Sequence, residues 1–353
     1  MAPATETQQH RATSTGRRKV VDEVSGWLRV MDDGTIDRTW TGPPEALPLM
    51  QPVEPYAEPR DGHTLHDLPG EPKLRVYIPE ATATANVGLP VIVQLHGGGF
   101  CISHPSWVLY HHFYSRLARA LPAVVVTAEL PLAPEHRLPA QIHTGVDVLH
   151  RLRSIALSSD SSCTPAELLL REAADMSRVF LVGDSSGGNL VHHVAARVGE
   201  DGPDHWAPLR VVGGIPIHPG FVRAARSKSE LEPRPDSVFF TLDMLDKFLA
   251  MALPEGATKD HPYTCPMGAD APPLESVPLP PMLVAVGEHD LIRDTNLEYC
   301  DALRDAGKEV EVLLSKGMSH SFYLNKFAVE MDPETGERTQ ELIDAISRFV
   351  ARH

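Results

Sequence analysis

Between Val179 and Asn189 the sequence Val-Phe-Leu-Val-Gly-Asp-Ser-Ser-Gly-Gly-Asn reads as an apolar strand, a very tight turn and the start of a helix. Gly183 and Gly187 stand two residues either side of Ser185. A serine on a sharp strand-to-helix turn is held in a strained backbone conformation, and its neighbours at those spacings must lack side chains to avoid collision. Such a turn lifts the hydroxyl clear of the sheet and aims the first helical amides at any charge that develops there. Ser186 is the rival nucleophile, but its frame would put Asp184 where a glycine is needed. A Gly-Ser turn can also be a mere tight loop, so the rest of the chain has to supply the context.

That context is an alternation of strand-like and helix-like stretches. Strand-like runs lie at Leu74–Ile78, Pro90–Leu95, Ala123–Ala128, Val179–Val182, Leu209–Ile217, Met282–Val286 and Val310–Leu314. Most are continuous apolar runs, the pattern of strands covered on both faces. Helical stretches alternate with them at Trp107–Leu121, Ala140–Ser154, Asn189–Val198, Thr295–Ala306 and Thr339–Ala351, with Thr295 and Glu298 spaced as a capping box. The alternation implies an α/β fold, a mostly parallel central sheet with helices on both faces.

The flanks are organised differently. Residues 1–19 read as a disordered tail and 20–353 as a single domain. Trp27–Val30 and Thr35–Trp40 read as a hairpin turning at Asp32-Asp33-Gly34. Residues 41–72, rich in Pro and Gly, read as an extended arm. Between Pro219 and Pro280 the rhythm breaks, with one helix-like patch at Leu242–Met251. The expectation is a lid over the C-terminal edge of the sheet, made from about residues 20–70 and 221–280.

Composition narrows the function. The chain has 353 residues and a net charge of −15, enough length for a large core and a surface that repels phosphate backbones and anionic lipid. Nucleic acid and membrane partners are therefore not expected. No apolar run reaches the roughly 18 residues of a membrane span. The polar first twenty residues have no apolar stretch behind Arg17-Arg18-Lys19, so no signal peptide is expected. That basic run reads as a solvated tail, a nuclear address being the alternative. Cys101, Cys163, Cys265 and Cys300 are scattered and without C-x-x-C, as expected for reduced thiols in the cytoplasm.

Attack by a serine needs a base, an acid to orient it and donors for the oxyanion. His96-Gly97-Gly98-Gly99-Phe100 follows a strand directly, and its glycines leave backbone amides bare. The amide of Ser186, next after the nucleophile, supplies a second donor. A phosphate cradle is disfavoured, since G-K-[ST] and G-x-G-x-x-G with an acidic partner are both missing. After Met282–Val286, Asp290 lies on the turn out of the strand; Glu288 is a weaker competitor, and Asp294 reads as a charge at a helix N-terminus. After Val310–Leu314, His320 lies in the loop before the last helix and is the base. The order Ser185, Asp290, His320 is that of α/β-hydrolases. His192-His193 and His111-His112 lack the i, i+4 spacing of a helical zinc site, and His96 reads as holding the loop by a hydrogen bond. No metal and no cofactor are expected.

These motifs, together with Leu132–Ala140, Ile215–Phe221 and His320–Lys326, resemble the plant carboxylesterases of the hormone-sensitive-lipase-like group, in particular its tobacco-like branch. The resemblance runs from about Val20 onward. It implies an α/β-hydrolase fold, no cofactor, and hydrolysis of short-chain or aromatic small-molecule esters in the cytoplasm. It also implies that Ser185, Asp290 and His320 form the triad, and that Gly98, Gly99 and the Ser186 amide form the oxyanion hole with Gly97 shaping the turn. The group usually has Asp-Tyr-Arg where this chain has Glu129-Leu130-Pro131, which touches the support beneath that loop.

Two other activities occur among such chains: a hormone receptor that has lost the catalytic His, and a lyase (dehydratase) whose nucleophile is often Thr. His320 and Ser185 argue for hydrolysis against both. Phe100, Trp107, Phe239, Phe240 and Phe322 are expected near a modest apolar acyl pocket, with ordinary core packing the competing reading for Phe239 and Phe240.

Overall fold

The structure is a computed structural model and describes residues 18–39, 46–80, 88–233 and 239–353. Two compact units divide the chain, Met1–Gly42 and Pro43–His353. The expected disordered tail falls, for residues 1–17, outside the described residues.

The first unit is a three-stranded antiparallel sheet of β1 (Val20–Val24), β2 (Leu28–Met31) and β3 (Ile36–Asp37). The expected hairpin is β2–β3, pairing Val30 with Ile36. Its turn uses Gly34 at φ +80°, and the Asp33 carboxylate accepts the Thr35 amide at 3.0 Å.

The second unit carries a nine-stranded sheet. Its strands are β4 (Tyr56–Arg60), β5 (His63–Leu68), β6 (Leu74–Pro79), β7 (Leu89–Leu95), β8 (Val124–Ala128), β9 (Ala174–Asp184), β10 (Val211–Ile217), β11 (Met282–Gly287) and β12 (Val310–Ser315). The order is β12-β11-β10-β9-β7-β8-β6-β5-β4. From β7 to β12 all pairings are parallel, and β4, β5 and β6 add an antiparallel edge. Runs such as Val91–Val93, Val124–Val126 and Val179–Val182 are fully buried, as strands covered on both faces require.

For residues 56–68 the edge corrects the reading of an extended arm. Tyr56–Arg60 and His63–Leu68 form a hairpin that extends the sheet, with Tyr56 paired to Leu65. Asp61 and Gly62 turn it with positive φ at both positions, 51° and 80°. That is the Asp-Gly hairpin signature, masked in the sequence by the surrounding prolines.

The helices are α1 (Val108–Ala120), α2 (Ala140–Leu157), α3 (Pro165–Ala173), α4 (Ser186–Asp201), α5 (Pro203–Trp206), α6 (Lys228–Leu231), α7 (Leu242–Ala252), α8 (Arg293–Asp305), α9 (Lys326–Met331) and α10 (Pro333–Arg352). On one face of the sheet, Phe113 and Leu117 of α1 and Ile346 and Phe349 of α10 pack with Phe180, Val182, Ile215 and Ile217. On the other, Gly145 of α2 lies against Val194 of α4 and Leu95 of β7.

The expected capping box at Thr295 and Glu298 is not formed. The N-cap of α8 is Ile292; the Thr295 hydroxyl donates to Phe221 O at 2.7 Å, and Glu298 pairs with Arg223 at 2.9 Å. Partners supplied by the tertiary fold outcompete the local motif. A full capping box does form on α3, where Thr164 accepts the Glu167 amide at 3.3 Å and Glu167 accepts the Thr164 amide at 2.9 Å.

The insertion between β10 and β11 carries α6, α7 and a short 3-10 helix at Leu274–Ser276, and is otherwise irregular in its described residues. It is tied to elements beyond the C-terminal ends of the strands: Asn189 Nδ2 of α4 donates to Tyr263 O at 2.6 Å, and the Leu138 amide donates to Ala252 O at 2.8 Å. No helix among the described residues is long and apolar enough to cross a membrane.

Candidate active site

Ser185 directly follows β9 and N-caps α4 with φ 54° and ψ −120°, a strained conformation for a residue with a side chain. The packing holds it there. A Cβ on Gly183 would overlap Gly187 O, and one on Gly187 would overlap Leu95 O. The Ser185 amide donates to Ile217 O at 2.9 Å, while its carbonyl accepts the amides of Asn189 at 3.1 Å and Gly220 at 2.8 Å. Ser186, the sequence's rival nucleophile, turns its hydroxyl away to accept the Phe100 amide at 3.1 Å.

That bond ties the elbow to the glycine loop after β7. The Gly97 amide donates to Asp184 Oδ1 at 3.2 Å, and His96 Nδ1 donates to Gly97 O at 2.9 Å, the loop-holding role expected of it. Gly98 adopts φ +103°, and a side chain there would overlap Ile102 O; at Gly99 it would overlap the Phe248 ring. The loop thus leaves the amides of Gly98 and Gly99 without a protein acceptor among the described residues.

Asp290 sits on the turn after β11, fully buried, its Oδ1 accepting the Ile292 amide at 3.1 Å. Its Oδ2 lies 2.8 Å from His320 Nδ1, the nitrogen that donates, which leaves His320 Nε2 as the acceptor. Burial alone would push the Asp290 carboxyl up, but His320 beside it, with His218 and the Ile292 amide, holds it below the ordinary range. Asp184 goes the other way. Burial pushes it up to about 7 against the Gly97 hydrogen bond and the pull of His320. Glu288, the competitor for the acid, instead accepts the Gly317 amide at 2.7 Å. Asp294 opens α8 as expected and also accepts the Ser229 amide at 2.8 Å, joining the insertion to the Asp290 turn.

One residue of the site escaped the sequence reading. His218 follows β10, so the ends of β9, β10, β11 and β12 contribute Ser185, His218, Asp290 and His320 in turn. His218 is fully buried at φ 47°, and its Nδ1 accepts the Ser321 amide at 2.9 Å, fixing the backbone beside His320. Burial drives its imidazole down to about 4, so it stays neutral. The signal was a histidine directly after an apolar strand, in Ile217-His218-Pro219. His218, Asp290 and His320 could in principle ligate a cation, their atoms lying within 4.8 Å of one another. The Nδ1 of His218 is already an acceptor for Ser321, and that of His320 a donor to Asp290, which suits proton handling.

The histidines set aside by spacing have local partners. His192 meets the Tyr299 hydroxyl at 2.9 Å, His193 meets Tyr263 O at 2.9 Å, and His111 lies beside Ser115. Of the expected pocket aromatics, Phe322 belongs to the buried core, with Trp107 and Phe239 packed against it. Phe100 is buried at φ 64° in the glycine loop.

Comparison with known proteins agrees with this architecture. Residues 92–324 match the family model described as alpha/beta hydrolase fold. A protein of Arabidopsis thaliana named "Probable carboxylesterase 6" is 35% identical over 312 residues, covering 86% of this chain and 85% of that protein. A gibberellin receptor of the same plant, GID1C, is 36% identical over 250 residues, 69% of this chain and 67% of its own. Among solved structures, an esterase of Pyrobaculum calidifontis superposes with a TM-score of 0.62 at 25% identity, covering 84% of this chain and 86% of that one. The matched span contains the elbow, the glycine loop, the Asp290 turn and the His320 loop, and with them this chain belongs to the α/β-hydrolase fold family, among its plant carboxylesterases.

Proposed function

We propose that this carboxylic ester hydrolase works through an acyl-enzyme on Ser185. The observation that carries the reading is the 2.8 Å bond from His320 Nδ1 to a buried, ionised Asp290, on the sheet whose β9 end, two strands from β11, holds Ser185 in a strained elbow. His320 Nε2 takes the Ser185 proton as Oγ attacks the ester carbonyl, and the tetrahedral oxyanion is received by the amides of Gly98, Gly99 and Ser186. Each such donor contributes about 3–4 kcal/mol in the transition state. The imidazolium passes its proton to the departing alcohol, then takes one from water, whose oxygen attacks the acyl carbon; the acid leaves and Ser185 regains its proton. No step calls on a cofactor. The substrates are small-molecule esters with short or aromatic acyl groups, and the 221–280 insertion serves as the lid. A lost catalytic His would favour the receptor reading and a Thr nucleophile the lyase reading, and His320 and Ser185 speak against both.

The test is a stopped-flow assay with p-nitrophenyl butyrate and a fluorophosphonate label. Ser185→Ala should lose the p-nitrophenol burst, the label and at least about 10³-fold of the turnover. Unchanged turnover in that variant would end the assignment.

A further inference from the structure

The ring of Phe240 stacks on the imidazole of His320, with centroids 4.1 Å apart and planes 29° from parallel. It comes from the insertion, immediately before Thr241, whose hydroxyl accepts the Met244 amide at 3.2 Å and caps α7. The placement of α7 is set at several points. Phe248 fills the space that a side chain on Gly99 would need. At the other end, Arg137 donates to Ala250 O at 2.9 Å and Leu253 O at 2.7 Å, and the Leu138 amide donates to Ala252 O at 2.8 Å. One helix therefore lies against the glycine loop and, through the residue ahead of its cap, against His320.

We propose that Phe240 is a positioning residue for ester hydrolysis: its ring face steadies the His320 imidazolium and fixes that ring in the plane in which Asp290 holds it. The inference rests on His320 acting as the base. Acting as the base, His320 takes up a proton and becomes cationic in the transition states of both acylation and deacylation. An aromatic face carries negative charge density and attracts a cation far more than a neutral ring. The contact therefore favours the transition state over the ground state, which is the kind of interaction that raises kcat and not binding alone. The ring also keeps water from one face of the imidazole, so the Asp290–His320 pair acts in a drier setting. A simple pocket wall would need only apolar bulk at this position.

Leucine and tyrosine separate the two roles. On the full-length chain with p-nitrophenyl butyrate, Phe240→Leu keeps apolar bulk and removes the π face; kcat should fall about 3- to 30-fold with KM within about twofold. Phe240→Tyr, or Phe240→Trp where the tyrosine hydroxyl is cramped, should keep kcat within about twofold of the wild type. Labelling of Ser185 by a fluorophosphonate should slow in Phe240→Leu in step with kcat, and thermal unfolding should verify that each variant is folded. A Phe240→Leu variant with wild-type kcat, or one impaired only in KM, would overturn the inference and leave the triad standing. So would equal losses in the leucine and both aromatic variants. Full turnover in Ser185→Ala would overturn both together.

Discussion

Asp184 stands one residue before Ser185, the proposed nucleophile, with 3% of its surface exposed, and its carboxylate accepts the Gly97 amide at 3.2 Å. Burial raises its carboxyl from an ordinary 3.8 to about 7. The unfolded chain releases this proton near pH 4, while the native chain keeps it to about pH 7. Between those limits the native state binds more protons, so the contribution of this group to stability is full below pH 4 and is lost as pH rises to 7. The whole effect is about three pH units at about 1.4 kcal/mol each, or roughly 4 kcal/mol. Asp184→Asn keeps an acceptor for Gly97 and cannot ionise. Relative to wild type it should gain about 1.5 kcal/mol at pH 5 and about 4 kcal/mol at pH 8, on top of a pH-independent offset from repacking. The assay is urea unfolding of both proteins at the two pH values, compared as a difference of differences of about 2–3 kcal/mol. The reasoning is refuted if the substitution changes stability by the same amount at pH 5 and pH 8.

Buried histidines dominate at lower pH. Burial drives His96, His193 and His218 down to about 4, so each stays neutral when folded and charges at about 6.5 when unfolded. Their stabilisation is whole above pH 6.5 and is lost as pH falls toward 4; each costs about 2 kcal/mol by pH 5, which together outweighs the opposite trend of Asp184. Urea midpoints should fall between pH 7 and pH 5, and a level or rising midpoint would contradict this. Ser229 is fully buried, donating to Leu291 O at 2.8 Å and accepting the Asp294 amide at 3.2 Å, so it fastens the insertion beside the Asp290 turn. Ser229→Ala should cost about 1–3 kcal/mol through the two groups it leaves unpaired, visible in chemical denaturation. An unchanged midpoint would show that water replaces the hydroxyl.

The parts of the site that could be read in advance are those whose chemistry is local. Gly183 and Gly187 are required by the backbone around Ser185, and Gly98 by a φ of +103°, so they show in any single chain. Asp290 and His320 followed from their positions after successive apolar runs, which became β11 and β12. What could not be read depends on partners far away in sequence. His218 acquires its role from Ser321, 103 residues on, and Phe240 from its contact with His320, distant in sequence. Thr295 and Glu298 satisfied the spacing of a cap and still bonded elsewhere. The Asp61-Gly62 signal of the β4–β5 hairpin was masked by the prolines around it.

The crowding around the elbow bears on how enzymes of this build can change. At Gly97, Gly183 and Gly187 the obstructing atoms include main chain, which no rotamer change can move aside. A gene library that varies those codons should return almost entirely inactive clones. Residues 239–253 meet the machinery through side chains such as Phe240 and Phe248, which swap without rebuilding the scaffold. New ester preferences should therefore arise in that short stretch, while the seat of the nucleophile is inherited unaltered.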